Sequence, residues 1–555
     1  MICRLRIRHR RYSICTYLDK EQVVDMHRQY KYLICLLVGA LIGAVVFWLI
    51  SRYREITHAD KFDQVLQLVE KYYVDSVDIE QLRTDILPYM LGALDPHSTY
   101  IPPLESEREE QRLEGRFEGI GIIYNIITDT IVVDQVFAGG PSETAGLKPG
   151  DRILACDGKS LLGERNNQDT ITAALRGPEG SVAHLSILRR HARRNVSVVR
   201  GPVPIKSIDV SYMLTPTIGL MQITTWARTT YDEFIQHWGA LQRAGAKALV
   251  LDLRDNTGGY MTSAIAVANE FLQEGQLIVY TEGRKMPRED VVANGEGMLQ
   301  NMPLVVLVNE NSASASEIFS GAMQDHDRAM IVGRQTYGKG LVQQPFTFSD
   351  HSSVRLTVAR YYTPSGRNIQ RPYEQGSLSS IEESLMSVSG IKPVGDYADT
   401  LSLTRQKQRE YHSDKGRLLF SGYGIMPDIF VPQDTAMINA YAARLIMSGA
   451  MQEFAFYFVD LNRESLREMG SVPELLALLA QEKTLINDLA AYAAEQGIAQ
   501  RPQMLRQAAT RLQQQMYALI ANHLFGATGF YQVMTQDDPM ISSAERYLQE
   551  NYHIR

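Results

Sequence analysis

The stretch PLVVLVNENSASASEIFSGAMQD, residues 303–325, holds a short apolar run, three serines at alternate positions and then an amphipathic segment. The apolar run has the length of a buried strand, and the amphipathic segment has the pattern of a helix. A strand that turns directly into a helix is typical of α/β proteins. We therefore predict a strand-to-helix turn here, with Ser312, Ser314 and Ser316 at the turn.

The sequence before this stretch alternates between strands and helices. From about residue 218 the predicted elements are the strand IGLMQITTW, the helix TTYDEFIQHWGALQRAG, the strand KALVLDLR, the helix YMTSAIAVANEFLQEG, and the strands QLIVYTE and PLVVLVNE. This alternation predicts an α/β layer with a largely parallel sheet. Functional sites in such sheets gather at the carboxyl ends of strands, where both DLRDNTGGY, residues 252–260, and NENSASASE, residues 309–317, fall.

The three serines permit two interpretations. Ser314 and Glu317 form the S-x-x-E capping box that starts many helices, which would give the serine a structural role. A serine at a helix N-terminus is also well placed for acyl transfer, because the N–H of the following Ala315 points to where an oxyanion would form. Gly258 and Gly259 can bring a second bare backbone N–H close. The residues alone do not choose among the three serines.

A nucleophilic serine needs a base. His326 and His351 are the nearest downstream histidines, but neither has an identifying context, and we expect a surface position for His326, about three turns along the predicted helix. Lys339 in TYGKGLVQQ is the other candidate, because burial can lower a lysine pKa from about 10.4 toward neutrality. The segment GRQTYGKG, residues 333–340, resembles a phosphate loop. Nucleotide binding is not expected, because Gly340 stands where Ser or Thr is required and a strand-like run follows.

Residues 117–200 show short β-like runs separated by Gly and Pro, with QDTITAALRG as the one clear helix. The pattern predicts a small β-rich module. Its GIGI turn, formed by Gly119, Ile120, Gly121 and Ile122, can leave successive backbone N–H groups free to cradle an anion such as a peptide carboxylate.

The N-terminal region has the features of a membrane anchor. Residues 32–50, YLICLLVGALIGAVVFWLI, carry no charge and are long enough to span a hydrocarbon core. The preceding 31 residues hold eight Lys and Arg against three acids, which predicts a cytoplasmic N-terminus. No cleavage signature follows closely, so we expect an uncleaved anchor.

Composition argues against nucleic-acid binding and against cysteine-based disulfide or zinc sites. The net charge of −7 argues against a nucleic-acid binder, because there is no basic excess to neutralise phosphates. Three of the four cysteines lie within or before the apolar run, which leaves Cys156 alone in the rest of the chain. A disulfide framework or a cysteine-based zinc site is therefore excluded there.

Several separate stretches resemble the C-terminal processing (tail-specific) peptidases, serine proteases with a Ser-Lys catalytic pair and an inserted PDZ domain. Their order and joint presence over residues 60–435 argue strongly against chance agreement. The stretches are ALDPHSTY (93–100), GIGI (119–122), AGLKPGDRILACDG (145–158), DLRDNTGG (252–259), SASASEIFSGAMQD (312–325), TYGKGLVQ (336–343), YYTPSGRNIQ (361–370) and GIMPDIFVPQD (424–434).

The resemblance implies a site and a mechanism. It implies Ser314 as nucleophile, Lys339 as general base, Gln343 as the residue that holds the lysine amine, and the N–H groups of Gly259 and Ala315 as oxyanion donors. The neutral lysine would take the serine proton and later protonate the leaving amine. No metal or organic cofactor is needed.

The implied fold is a multidomain α/β protein. Its predicted parts are a basic cytoplasmic segment (1–31), a transmembrane anchor (32–50), a helical region (56–115), a PDZ domain (116–201), a Ser-Lys protease core (205–435) and a helical accessory domain (436–555). The expected partners are protein or peptide substrates bound by their C-termini at the GIGI turn, the membrane, and a second copy or an adaptor protein at the accessory domain. We expect a single-pass protein of a bacterial inner membrane with its bulk in the periplasm.

The alternative from another functional class is a catalytically inactive, membrane-tethered PDZ scaffold. The sequence disfavours it, because such a scaffold would have no need to keep the serine, the lysine, the glutamine and both oxyanion loops together.

Overall fold

The computed structural model describes residues 31, 36–48, 61–127, 130–137, 139–163, 168–189, 192–373, 409–432, 439–466 and 468–554. The chain divides into two compact units, residues 1–87 and 88–555. Residues 1–30 of the predicted cytoplasmic segment and most of the polar stretch near residues 375–412 lie outside the described residues.

The first unit contains helix α1 (Lys61–Tyr72) and the start of helix α2 (Ile79–Gly92). An ion pair of 3.0 Å joins Arg83 to Asp63. Residues 36–48 of the predicted anchor are described and helical, and its remaining residues lie outside the description. Among the described residues, we find no helix with both the length and the apolar character needed to span a membrane.

A six-stranded sheet lies at the centre of the second unit, with strand order β10-β11-β12-β15-β16-β21. The edge strand β10 runs antiparallel to β11, and all other neighbours are parallel. Every residue of β12 and β15 is buried, as expected for strands covered on both faces. The prediction of a largely parallel α/β sheet is confirmed. The strands are β10 (Val210–Met213), β11 (Ile218–Gln222), β12 (Ala248–Asp252), β15 (Leu304–Val308), β16 (Met330–Gly333) and β21 (Ile429–Phe430).

Helices from distant parts of the chain cover the two faces of this sheet. Leu249 and Leu251 belong to the core on one face, and Val250 belongs to the core on the other, as the two-residue period of a strand requires. The first face is covered by α6 (Thr230–Arg243), α7 (Met261–Asn269) and α8 (Ala315–Asp325). The second is covered by the last helix, α15 (Pro539–Tyr552), through Met540, Ile541, Ala544 and Leu548.

This position of α15 differs from the single C-terminal helical domain expected over residues 436–555. Its apolar face is used against the central sheet rather than against the helices that precede it. Periodicity predicts the helix but does not indicate which partner its apolar face will cover.

A second sheet is wholly antiparallel, with order β1-β18-β13-β14 and β17 also paired to β18. QLIVYTE was expected in the parallel layer, but as β13 it pairs with β18, where the Tyr280 and Tyr362 rings stack at 4.7 Å. Strand order along the chain does not reveal a change of sheet. Its strands are β1 (Thr99–Ile101), β13 (Leu277–Glu282), β14 (Glu289–Val292), β17 (Leu341–Thr347) and β18 (Ser353–Tyr362). Helix α3 (Pro103–Glu114) follows β1, and β19 (Glu410–His412) and β20 (Leu418–Phe420) form a separate two-stranded sheet.

The β-rich module is confirmed as an antiparallel sheet of order β3-β4-β5-β7-β8, with β6 paired to β5 and its own buried core. Strands β2 and β9 pair with each other where the chain enters and leaves the module. Its elements are β2 (Arg116–Gly119), β3 (Ile122–Ile127), β4 (Thr130–Val136), α4 (Pro141–Thr144), β5 (Arg152–Cys156), β6 (Lys159–Ser160), α5 (Gln168–Leu175), β7 (Val182–Arg189), β8 (Ala192–Val199) and β9 (Gly201–Pro204).

The remaining helices form a separate apolar cluster. They are α9 (Ala440–Met447), α10 (Ala450–Leu461), α11 (Arg463–Leu466), α12 (Val472–Leu479), α13 (Leu485–Glu495) and α14 (Pro502–Met534), which kinks at Gly526. Beside the kink, His523 Nδ1 lies 2.6 Å from Asp134 Oδ1 on β4, and both side chains are buried. The helical cluster is therefore anchored to the β-rich module.

Candidate active site

Ser314 lies at the turn between β15 and α8, where the sequence predicts it. Its backbone has φ 55° and ψ −113°, a conformation that is costly for a residue with a Cβ. Strain of this kind, on the order of 1–3 kcal/mol, clusters at functional sites and persists only where the surroundings enforce it. Here the Ser314 carbonyl accepts hydrogen bonds from the N–H groups of Glu317 and Ile318 at 2.8 and 3.0 Å. The first turn of α8 thus fixes the strained residue.

The two flanking serines are bound into the scaffold. The Ser312 hydroxyl donates to the Leu253 carbonyl at 2.8 Å. The Ser316 hydroxyl donates to the Asn256 carbonyl at 3.1 Å and accepts from the Trp226 indole N–H at 2.9 Å. Both serines are fully buried. Their hydrogen bonds attach the start of α8 to the turn that follows β12.

Gly258 and Gly259 bring that turn against Ser314. A Cβ on Gly258 would lie 2.9 Å from the Ser314 Cβ, and one on Gly259 would lie 2.2 Å from the Trp226 carbonyl oxygen. Both glycines also have positive φ, so no other residue fits. Within the described part of the chain, the N–H groups of Gly259 and Ala315 donate no backbone hydrogen bond. Both amides are available as donors at this turn.

Lys339 lies in the loop before β17, and its Nζ donates to Gln343 Oε1 at 2.6 Å. Burial, assisted by the positive charge of Arg355, lowers the pKa of Lys339 from 10.5 to about 8. The negative charges of Glu109 and Asp95 oppose this shift. The amine is therefore neutral in an appreciable fraction of molecules near neutral pH.

Gln343 links the lysine to the ALDPHSTY motif. Its Oε1 accepts from Lys339, and its Nε2 donates to the His97 carbonyl at 2.5 Å. The backbone carbonyl accepts only, which fixes the orientation of the glutamine amide. Burial lowers the pKa of the nearby His97 imidazole well below 6.5, and the charge of Lys339 lowers it further.

Glu317 joins the serine loop to the lysine loop. Its Oε2 accepts from the Ser314 N–H and the Lys339 N–H, each at 2.9 Å. Its Oε1 accepts from Thr336 Oγ1 at 2.5 Å and the Gly338 N–H at 2.7 Å. Burial raises the pKa of Glu317, whereas these hydrogen bonds lower it. The capping box signalled the first contact, but nothing in the sequence indicated that the same carboxylate would hold the lysine loop.

Tyr361 is a further residue that the sequence did not single out. Its buried hydroxyl lies 2.6 Å from the Lys339 carbonyl and 3.2 Å from the Ser314 carbonyl, so it can donate to either. Burial raises its pKa well above 10, which keeps it protonated as a donor.

Among the described residues, no hydrogen bond joins the Ser314 hydroxyl to the Lys339 amine. The two loops are instead held together by Glu317 and Tyr361.

The histidines lie outside this cluster. His326 is not a surface residue as expected, because its Nδ1 lies 2.7 Å from Asp414 Oδ2 and its Nε2 lies 2.7 Å from the Leu277 carbonyl. Its helix packs inward, and the imidazole joins α8 to β13. His351 is exposed in the hairpin between β17 and β18.

The GIGI turn connects β2 to β3. The Ile120 carbonyl accepts from the Ser142 N–H at 2.9 Å, and the Gly121 carbonyl accepts from the Phe137 N–H at 3.3 Å. Gly119 forms a bridge with Arg176 at the end of α5. The turn thus lies between the start of α4 and the end of α5.

Comparisons with known proteins indicate the family of the chain. Residues 217–375 match peptidase family S41, and residues 132–189 match a PDZ domain. The carboxy-terminal processing protease CtpA of Bacillus subtilis (strain 168) is 31% identical over 358 residues, which is 62% of this chain and 76% of the relative. The chain belongs to the carboxy-terminal processing proteases of family S41. It is therefore a serine-type peptidase with a PDZ domain.

Two further matches are one curated relative and one solved structure. The carboxy-terminal-processing protease of Bartonella bacilliformis (strain ATCC 35685 / KC583 / Herrer 020/F12,63) is 34% identical over 56% of this chain and 72% of its own length. The solved photosystem II D1 C-terminal processing protease is 24% identical and covers 69% of this chain and 95% of its own, with a TM-score of 0.32. Residues 441–526 match a family of unknown function, and the match ends at the kink of α14.

Proposed function

We propose that this peptidase uses Ser314 as nucleophile and Lys339 as general base. The observation that carries the proposal is the buried amine with a pKa near 8, held by Gln343 and joined to the strained serine through Glu317. Neutral Lys339 accepts the hydroxyl proton as Ser314 attacks the peptide carbonyl, and the lysine then protonates the leaving amine. Water hydrolyses the acyl-enzyme, and the lysine again takes the proton.

Each neighbouring group has a separate role in this reaction. Gln343 accepts one lysine N–H, which leaves the amine lone pair for the serine proton. The N–H groups of Gly259 and Ala315 stabilise the oxyanion of the tetrahedral intermediate. The serine and lysine side chains approach each other when substrate binds, because catalytic hydrogen bonds are commonly longer in the free enzyme than in the substrate complex.

The substrates are proteins or peptides that present a free C-terminus. The PDZ module supports this proposal, with Gly119, Ile120, Gly121 and Ile122 binding or sensing the terminal carboxylate. The apolar, uncharged residues 32–50 and the basic residues before them support a tethered enzyme whose bulk faces the bacterial periplasm. Exposure of spheroplasts to an external protease tests this location, because a cytoplasmic enzyme would survive intact.

Cleavage of peptides with apolar C-terminal residues tests the catalytic assignment. The parent should cleave them, Ser314→Ala should be inactive, and the matched variant Ser320→Ala in the same helix should retain activity. Cleavage by Ser314→Ala at the parent rate would contradict the assignment. A folded parent that binds these peptides without cleaving them would instead support an inactive scaffold.

A further inference from the structure

The ALDPHSTY motif has no assigned role in the reaction, yet it ends beside the proposed base. Asp95 is buried, and its Oδ1 accepts from the N–H groups of His97 and Ser98, each at 2.8 Å. Its Oδ2 accepts from the Ser98 hydroxyl at 2.7 Å. One carboxylate therefore holds residues 95–98 in a closed turn.

The same turn is attached to the strand that carries Gln343. Thr357 on β18 lies opposite Gln343 on β17. The Thr357 N–H donates to the Ser98 hydroxyl at 3.1 Å, and the Thr357 Oγ1 donates to Asp95 Oδ1 at 3.2 Å. The register of β18 thus places the His97 carbonyl against the glutamine amide.

We infer that Asp95 and Ser98 are positioning residues for the catalytic amine, acting through the His97 carbonyl and Gln343. The carbonyl accepts from Gln343 Nε2, which directs the Oε1 toward Lys339. Without that acceptor the amide is free to rotate by half a turn. Its Nε2–H would then donate to the lone pair of the neutral amine and block proton transfer from the serine.

This inference rests on the proposed Ser-Lys function, and a double-mutant cycle separates the two. Asp95→Ala should lower kcat by up to about 100-fold with little change in KM, because small misplacements of catalytic groups are costly. In a Gln343→Ala background, Asp95→Ala should have no further effect on kcat, because Asp95 acts on the lysine through Gln343 and that side chain is absent. Both rates are measured on a peptide with an apolar C-terminus.

Two variants keep the test decisive if Asp95→Ala unfolds. Ser98→Ala removes one side of the turn and should cause a smaller loss of the same kind. Asp95→Asn keeps Oδ1 as acceptor for the two N–H groups and should retain most activity, with the rising limb of its pH profile moved to lower pH, because the Asp95 charge raises the pKa of Lys339. Asp350→Ala is the matched control, because it opens a similar turn with Ser352 in an exposed hairpin.

The outcomes are distinct. Full activity of both Asp95→Ala and Ser98→Ala, or losses that add to that of Gln343→Ala, would overturn the positioning role. An Asp95→Asn variant as impaired as Asp95→Ala would also overturn it, because charge rather than geometry would then matter. Full activity of Gln343→Ala would instead contradict the role proposed for the glutamine itself.

Discussion

The pH dependence of kcat/KM follows directly from the buried amine. With a pKa of about 8, Lys339 is neutral in roughly a tenth of the molecules at pH 7, a factor of about 300 more than at its ordinary pKa of 10.5. The rate should rise about ninefold from pH 6 to 7 but less than about twofold from pH 8 to 9. An unperturbed lysine would give a tenfold rise per pH unit through pH 9.

The assay is cleavage of a peptide without titrating groups in this range, with kcat/KM measured at intervals from pH 6 to 10. Arg355→Gln removes a positive charge that lowers the Lys339 pKa, so the rising limb of the kcat/KM profile should move to higher pH. Glu109, which pairs with Arg355 at 2.6 Å, raises the same pKa and acts in the same direction once Arg355 is removed. Arg288→Gln breaks a comparable pair with Asp290 on the surface and should leave the limb in place. A rising limb centred at or below pH 6.5 in the parent would exclude Lys339 as the base and indicate a histidine base.

Three other perturbations have defined outcomes. Lys339→Met should abolish turnover yet raise the free energy of unfolding at pH 7 by up to about 3 kcal/mol. Folding lowers the pKa of Lys339 in the parent from 10.5 to about 8. The difference in free energy of unfolding between Lys339→Met and the parent should therefore shrink between pH 8 and 10.5, as measured by urea denaturation at a series of pH values. Gly259→Ala should inactivate the enzyme, since its Cβ would meet the Trp226 carbonyl at 2.2 Å; parent-like peptide cleavage would contradict this steric account. Arg367→Ala leaves the buried Asp325 carboxylate without its ion-pair partner and should lower the free energy of unfolding by about 3–5 kcal/mol. Denaturant unfolding measures this loss, and a change under about 1 kcal/mol would contradict the importance of the ion pair.

Much of the architecture follows from local sequence patterns. Buried runs such as those at residues 248–252 and 304–308 have the length and apolar content of strands covered on both faces, and helices of clear periodicity separate them. Membership of a sheet depends on partners that are distant in sequence. For this reason local patterns predict β13 in the parallel layer and α15 with the other C-terminal helices, whereas β13 lies in the antiparallel sheet and α15 packs on the central sheet.

The site shows the same division. Helix-start chemistry indicates the turn with the three serines, but the positive φ of Ser314 has no sequence signature. The residues alone offer Lys339 as one candidate base, whereas its pairing with Ser314 and the role of Gln343 come only from the family resemblance. Glu317 was expected to cap a helix, and its second function at the lysine loop appears only when residues 314 and 339 meet in the fold.

Covalent capture of the acyl-enzyme identifies the nucleophile and shows whether its reactivity depends on Lys339. The intact protein is mixed with an activated peptide ester, quenched within the first turnover, and the mass and site of the adduct are determined. With Ser314 as nucleophile and Lys339 as base, one acyl group should be found on Ser314 in the parent and none on Ser314 in Lys339→Ala under the same conditions. Acylation of another residue in place of Ser314 would rule out Ser314 as the nucleophile, and acylation of Ser314 in Lys339→Ala at the parent rate would rule out Lys339 as the base.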